Sequence, residues 1–226
     1  MSIHFGSLLS VALLAPNALP QEPVVVRAWE HEHSDLAVDP RLHFGHFANG
    51  VRWVWAKNGE PKFRSYVRLH VNAGSLCEED SERGMAHFLE HMAFNGSEHF
   101  PAGTLVEWFQ RQGMSFGADL NAHTDFGETV YELDLPNSDA ALLDEGLAVL
   151  RDFAFGLTLA QAEIDKEKGV IDSEERERDS PGYRLFVRQI QTLLGETRLD
   201  ERIPIGVQAT RAAFTSEAVR AFYRKW

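Results

Sequence analysis

The chain has 226 residues, of which 22 are Lys or Arg and 34 are Asp or Glu, for a formal net charge of −12. Such a surface repels a polyanion, so nucleic-acid binding is excluded, while 44% hydrophobic and 25% charged content marks a globular chain with a real core. One cysteine, Cys77, rules out an intramolecular disulfide framework, and no apolar run reaches the ~20 residues of a membrane span.

Residues 1–20 read as a signal segment. Phe5 to Ala15 (FGSLLSVALLA) has the apolar core of a secretory signal, and a cleavage site would fall in Pro16–Gln21. No Lys or Arg precedes that core and no A-x-A follows it. A periplasmic or secreted location is therefore expected, with a cytoplasmic one not excluded. Residues 21–42 read as an irregular lead-in, and its His31 and His33 as solvated side chains rather than chelators.

Strand patterns follow. Val51, Trp53 and Trp55 share one face of VRWVWA; Val67, Leu69 and Val71 share a face opposite Arg68 and His70; Tyr131, Leu133 and Leu135 repeat the alternation. Period 2 with one polar face predicts a sheet covered on one side. Helices are interleaved. The first spans residues 84–95. Thr104-x-x-Glu107 has the form of a capping box ahead of Leu105, Trp108 and Phe109, and Gly113 fits a stop. Ser138 or Asp139 can cap a helix with Leu143, Leu147, Leu150 and Ala154 on one face. Residues 160–179 and 183–194 read as two helices separated by Pro181-Gly182, and a last helix starts near Thr215 or Ser216. This order predicts an α+β layered fold. The sequence stops inside a helical pattern at Trp226, so the domain is expected to be truncated at its C-terminus.

The chemically informative stretch is Gly84-Met-Ala-His87-Phe-Leu-Glu90-His91-Met-Ala-Phe94. On a helix His87 and His91 lie one turn apart on one face, where two imidazoles can grip one Zn²⁺. Glu90 sits on the same edge, near enough to serve a metal-activated water as proton acceptor. This H-x-x-E-H order reverses H-E-x-x-H. Peptide hydrolysis at neutral pH needs such parts: an acidified water, and a carboxylate that takes its proton and returns it to the leaving amine.

Catalytic zinc needs a third protein ligand. The helix over 160–179 offers Glu167 and Glu174, seven residues apart and only about 20° apart in projection, with Glu163 within about 40°. They border the apolar arc of Ile164, Val170 and Ile171, where an uncompensated charge is costly and a cation would relieve it. The helical projection leaves open which of them binds.

At these residues the sequence resembles the pitrilysin-type (M16) zinc peptidases. The resemblance rests on Gly74-Ser75, Glu78, Gly84 to Gly96, Phe100-Pro101, Gly117 to Thr124, Thr129 to Tyr131, Glu167 to Glu174 and Arg202 to Gly206. It covers roughly residue 43 to the end, and so implies a catalytic domain over 43–226. It implies that His87, His91 and Glu174 bind zinc, that Glu90 is the general base and that Glu167 orients a ligand. Asn121, Ala122 and Thr124 would lie on an edge strand that receives the peptide substrate by β-augmentation. The implied fold is a two-layer α+β sandwich of a mostly antiparallel sheet with helices on one face, the LuxS/mitochondrial processing peptidase-like metallohydrolase type. The resemblance also implies a second, similar half-domain, in cis or as a separate subunit. The expected function is a zinc-dependent metalloendopeptidase acting on extended peptides or unfolded protein. The alternative is a non-catalytic structural or partner subunit of the same fold.

Overall fold

The computed structural model describes residues 27–226 apart from Phe116. The signal segment expected over 1–20 lies outside the described residues. The chain divides into two compact units, Met1–Glu60 and Pro61–Trp226.

In the first unit a 3₁₀ turn, Glu30–His33, precedes the strands β1 (Leu42–His46) and β2 (Arg52–Ala56). These pair antiparallel, with Phe44 opposite Val54 and Gly45 opposite Trp53. Gly45 is needed there, because a β-carbon would sit 2.3 Å from the Trp53 ring. Strand β1 has little signal in its sequence, since LHFGH carries a glycine and two histidines. The one-sided burial expected of the VRWVWA face does not extend to this hairpin: Trp55 is 56% exposed and Val54 53%. Instead Trp55 lies against His43 across the ladder, ring centres 4.8 Å apart. The His31 ring packs on Phe44 at 4.3 Å, so it is a packing histidine.

The second unit holds a three-stranded antiparallel sheet in the order β3–β5–β4: β3 (Ser65–Val71), β4 (Leu120–Thr124) and β5 (Thr129–Leu135). The register places Val67, Leu133 and Leu120 in one row and Leu69, Tyr131 and Ala122 in the next. Both rows face the core, where Leu133, Leu135, Leu120 and Tyr131 are buried. On the other face Arg68 bridges Glu132 at 3.2 Å and Asp134 at 2.8 Å. This is the one-sided sheet that the alternation predicts.

Seven helices complete the described elements: α1 (Met85–Met92), α2 (Thr104–Arg111), α3 (Ala140–Phe155), α4 (Gln161–Arg178), α5 (Pro181–Leu194), α6 (Gln208–Ala212) and α7 (Ser216–Lys225). Asp139 caps α3 by accepting from the N–H groups of Ala141 and Leu142, and Leu142, Val149, Leu150 and Phe153 bury its inner face. Two sequence expectations fail locally. Gly103, with φ +83°, occupies the cap position of α2, so Thr104 is already helical and bonds Pro101 O instead of forming a box. Pro181-Gly182 do not separate two helices but open α5, because Ser180 caps it and proline suits the first turn.

Helix α1 lies at the centre of this unit, against β4, β5, α4 and α7. Its N-terminus is closed by a side chain from outside the helix: the Glu78 carboxylate accepts from Gly84 N at 2.8 Å and Ala86 N at 2.9 Å. Phe88 and Met92 are fully buried, and the polar His87 and Glu90 are buried beside them. Polar groups buried on a core helix are costly unless partnered, so their partners define the site.

Candidate metal centre

Helices α1 and α4 cross so that three predicted residues converge. His87, His91 and Glu174 each present one ligand atom, and these atoms lie within 4.8 Å of one another. Glu174 Oε2 is 3.3 Å from His91 Nε2 and 3.6 Å from His87 Nε2. Four donors around Zn²⁺ at ~2.0–2.1 Å stand about 3.3–3.4 Å apart at the tetrahedral angle. The 3.3 Å spacing equals that edge length and the 3.6 Å spacing lies close to it. Glu174 Oε2 is also buried without a hydrogen-bond partner, the condition of an oxygen shaped for a cation rather than for a donor. The residues present therefore fit zinc.

Glu167, the other candidate, does different work. Its Oε1 lies 2.8 Å from His91 Nδ1, and its Oε2 accepts from Asn95 Nδ2 at 2.6 Å. It thus pins the imidazole from behind and turns Nε2 toward the centre. Glu163 joins neither histidine and pairs with Lys166 at 2.7 Å. Glu90 is buried beside the cluster, and its Oε2 accepts from Thr124 Oγ1 at 2.7 Å. The third inward row of the sheet is Val71, Thr129 and Thr124. The apolar face therefore turns polar at the end where Glu90 meets it.

The electrostatics select for positive charge. Burial works against a charge on His91, but the Glu167 and Glu174 carboxylates outweigh it and hold the ring up at about 9. Burial, then the neighbouring His91, push His87 down to about 3. Burial raises the Glu174 carboxyl, yet the two imidazoles and Arg178 override this and bring it to about 2. Glu90 goes the other way: burial raises it, offset only in part by the Thr124 hydroxyl. Two carboxylates in one small site are thus shifted in opposite directions, Glu174 down and Glu90 up.

Of the other predicted residues, β4 is an edge strand of its sheet. Backbone bonds Asp134 N to Asp119 O and Asp125 N to Glu128 O fix which residues face β5. By alternation the main-chain groups of Ala122 and Thr124 then point away from the sheet. Among the described residues Ala122 N is bonded only to its neighbour, Asn121 Oδ1, at 3.0 Å. An open cleft of about 510 Å³ reaches His91 and Glu174, with Val170, Ser173 and Glu177 among its walls. Sequence reasoning missed Asn95 and Arg178. Arg178, which contacts Glu174 Oε1, could have been found from its i,i+4 spacing to Glu174; Asn95 carried no comparable signal.

Comparison with known proteins agrees with this architecture. The family model "Insulinase (Peptidase family M16)" matches residues 53–191, and the chain belongs to peptidase family M16. A protein of Haemophilus influenzae described as "Probable zinc protease PqqL" is 35% identical over 97% of this chain and 23% of its own length. Its Escherichia coli namesake is 37% identical over 84% of this chain and 20% of its own. The crystal structure of the first half of the periplasmic protease PqqL from E. coli superposes with a TM-score of 0.82 at 36% identity, over 85% of this chain and 41% of that one. The chain thus spans about a quarter or less of the curated relatives it matches.

Proposed function

We propose that this chain carries the catalytic zinc site of a metalloendopeptidase that cleaves extended peptides. The observation that carries the reading is the triangle of His87 Nε2, His91 Nε2 and the partnerless Glu174 Oε2, with Glu90 beside it. His87, His91 and Glu174 hold the metal. Bound there, Zn²⁺ supplies Lewis acidity and brings a water's pKa toward ~7. Glu90 is placed to take a proton from an attacking water and would return it to the departing nitrogen. Burial raises its carboxyl, the direction that favours holding the proton until it is returned. Glu167 fixes the orientation of His91, and Thr124 that of Glu90. The substrate adds to β4 as a further strand, using the outward main chain of Ala122 and Thr124 with Asn121 at its side. Backbone recognition of this kind tolerates many sequences.

A second half-domain completes the enzyme, in cis or as a separate subunit. This part of the reading is supported by the 23% and 20% of the PqqL chains that this chain spans. Export to the periplasm is supported by the Phe5–Ala15 segment and by the relative described as periplasmic.

The test has two arms. Metal analysis of the purified chain is expected to give one zinc per molecule, removable by a chelator. Joined to the remainder of the full-length protein, it is expected to hydrolyse casein, and to stop when chelated. A chain that takes up no zinc overturns the reading.

A further inference from the structure

Three of the polar groups in the centre are held by a side chain from another element or another turn. His91 is held by Glu167, Glu90 by Thr124 and Glu167 by Asn95. Glu174 needs such a partner most, since it is a long side chain at a half-buried position and its two oxygens are chemically equivalent. Left free, it would present either oxygen, or both, to a cation.

The structure distinguishes them. Oε2 faces the two imidazoles, and Oε1 is ion-paired with the Arg178 guanidinium. Arg178 is the last residue of α4, one turn beyond Glu174. A carboxylate N-terminal to a cation at i,i+4 is the favourable order on a helix, and a cation in the last turn also suits the helix dipole. Among the described residues no other cationic side chain meets the Glu174 carboxylate apart from the two histidines.

We propose that Arg178 is a positioning residue for the metal centre: by occupying Glu174 Oε1 it fixes Oε2 as the single oxygen offered to zinc. The inference rests on the zinc reading above. Two effects oppose each other here. Fixing the donor favours zinc, and repulsion between the guanidinium and a dication disfavours it. The Arg178 side chain is 47% exposed, so solvent screens the repulsion. The ion-pair contact that sets the carboxylate's orientation is direct, at shorter range than the repulsion, and is weakened less by screening. Positioning therefore wins.

The experiment measures zinc affinity of the 226-residue chain by competition with a chromophoric chelator, for wild type, Arg178→Met and Arg178→Lys. Loss of a group that orients a ligand typically weakens metal binding about 10- to 100-fold. Arg178→Met is expected near the lower end, with Arg178→Lys within about threefold of wild type because an ammonium still meets Oε1. Cobalt substituted for zinc gives a second readout. The visible bands are expected to lose intensity in Arg178→Met as the freed carboxylate engages through both oxygens, and to recover in Arg178→Lys. Thermal unfolding of the apo-proteins, expected to be alike, separates this from loss of fold. Equal or tighter zinc binding by Arg178→Met, with unchanged cobalt bands, overturns the proposal while leaving the site itself intact. A wild-type chain that binds no zinc overturns both.

Discussion

Gly206 and Gly84 meet backbone to backbone: a β-carbon on Gly206 would lie 2.3 Å from Gly84 Cα and 2.5 Å from Arg83 O. Both have positive φ, +71° and +97°. The contact seats the segment around Ile205 under the first turn of α1, where Glu78 takes up the Gly84 and Ala86 N–H groups. The histidines are thus fixed one and two turns along from a joint that has no room for a side chain. Gly206→Ala must move main chain, and is expected to destabilise by about 2–4 kcal/mol. Gly169 is the contrast: mid-α4, with nothing within 4 Å of a built β-carbon. Gly169→Ala is expected to stabilise by about 0.5–1 kcal/mol. Urea unfolding of both variants checks the pair, and a Gly206→Ala midpoint equal to wild type would remove the close approach as a structural determinant.

The role of Glu90 can be separated from the integrity of the site. Gln at position 90 keeps an oxygen to accept from Thr124 Oγ1, and Glu90 is no part of the His87–His91–Glu174 triangle. Glu90→Gln should therefore retain zinc and fold normally while losing the proton acceptor. In the completed enzyme kcat is expected to fall by about 10²–10⁴-fold. Turnover of a fluorogenic peptide near the wild-type rate, with zinc bound, would assign the base elsewhere.

Legibility in the sequence followed how local each feature is. His87, Glu90 and His91 were readable because helical spacing alone puts them on one edge. From the helical projection Glu167 and Glu174 were readable as a pair but not separable, since a difference of about 20° decides nothing; only the family resemblance assigned Glu174 to the metal and Glu167 to orienting a ligand. What separates them is where α4 crosses α1, and that depends on packing. The β3 and β5 faces were legible because one side is buried. The same alternation misled at Trp53 and Trp55, which no layer covers among the described residues of their own unit. The capping box at Thr104 was lost to a glycine one position earlier, whose φ of +83° takes the cap. Asn95 lay within the Gly84–Gly96 stretch without an assigned role, because nothing in the sequence around it shows that its amide meets Glu167.

The two α4 carboxylates are expected to differ in what their loss costs. Glu174→Gln removes an anionic donor from the triangle and leaves Arg178 without its partner. Glu167→Gln keeps an oxygen for the His91 ring and loses mainly the charge behind it. Glu167→Gln should weaken zinc binding by about tenfold, and Glu174→Gln by clearly more. Chelator competition on the two variants gives the order directly. The reverse order would exchange their assignments, making Glu167 the ligand.

The edge strand can be probed without touching the metal centre. Ala122 N points away from β5 and, among the described residues, has only the Asn121 side chain as partner. Proline is tolerated on an edge strand when its nitrogen faces outward, so Ala122→Pro should leave the β4–β5 ladder and the zinc content as they are. It deletes one donor from the row that a substrate backbone would use. One such hydrogen bond is worth about 0.5–1.5 kcal/mol, so KM is expected to rise about two- to tenfold in the completed enzyme, with kcat less affected. The ring's bulk at the docking edge adds to the loss. Because the interaction is with main chain, the penalty should be similar for peptides of unrelated sequence. A variant that keeps wild-type KM on several such peptides would place the substrate away from β4, while a loss confined to one peptide would point to side-chain rather than backbone recognition at this edge.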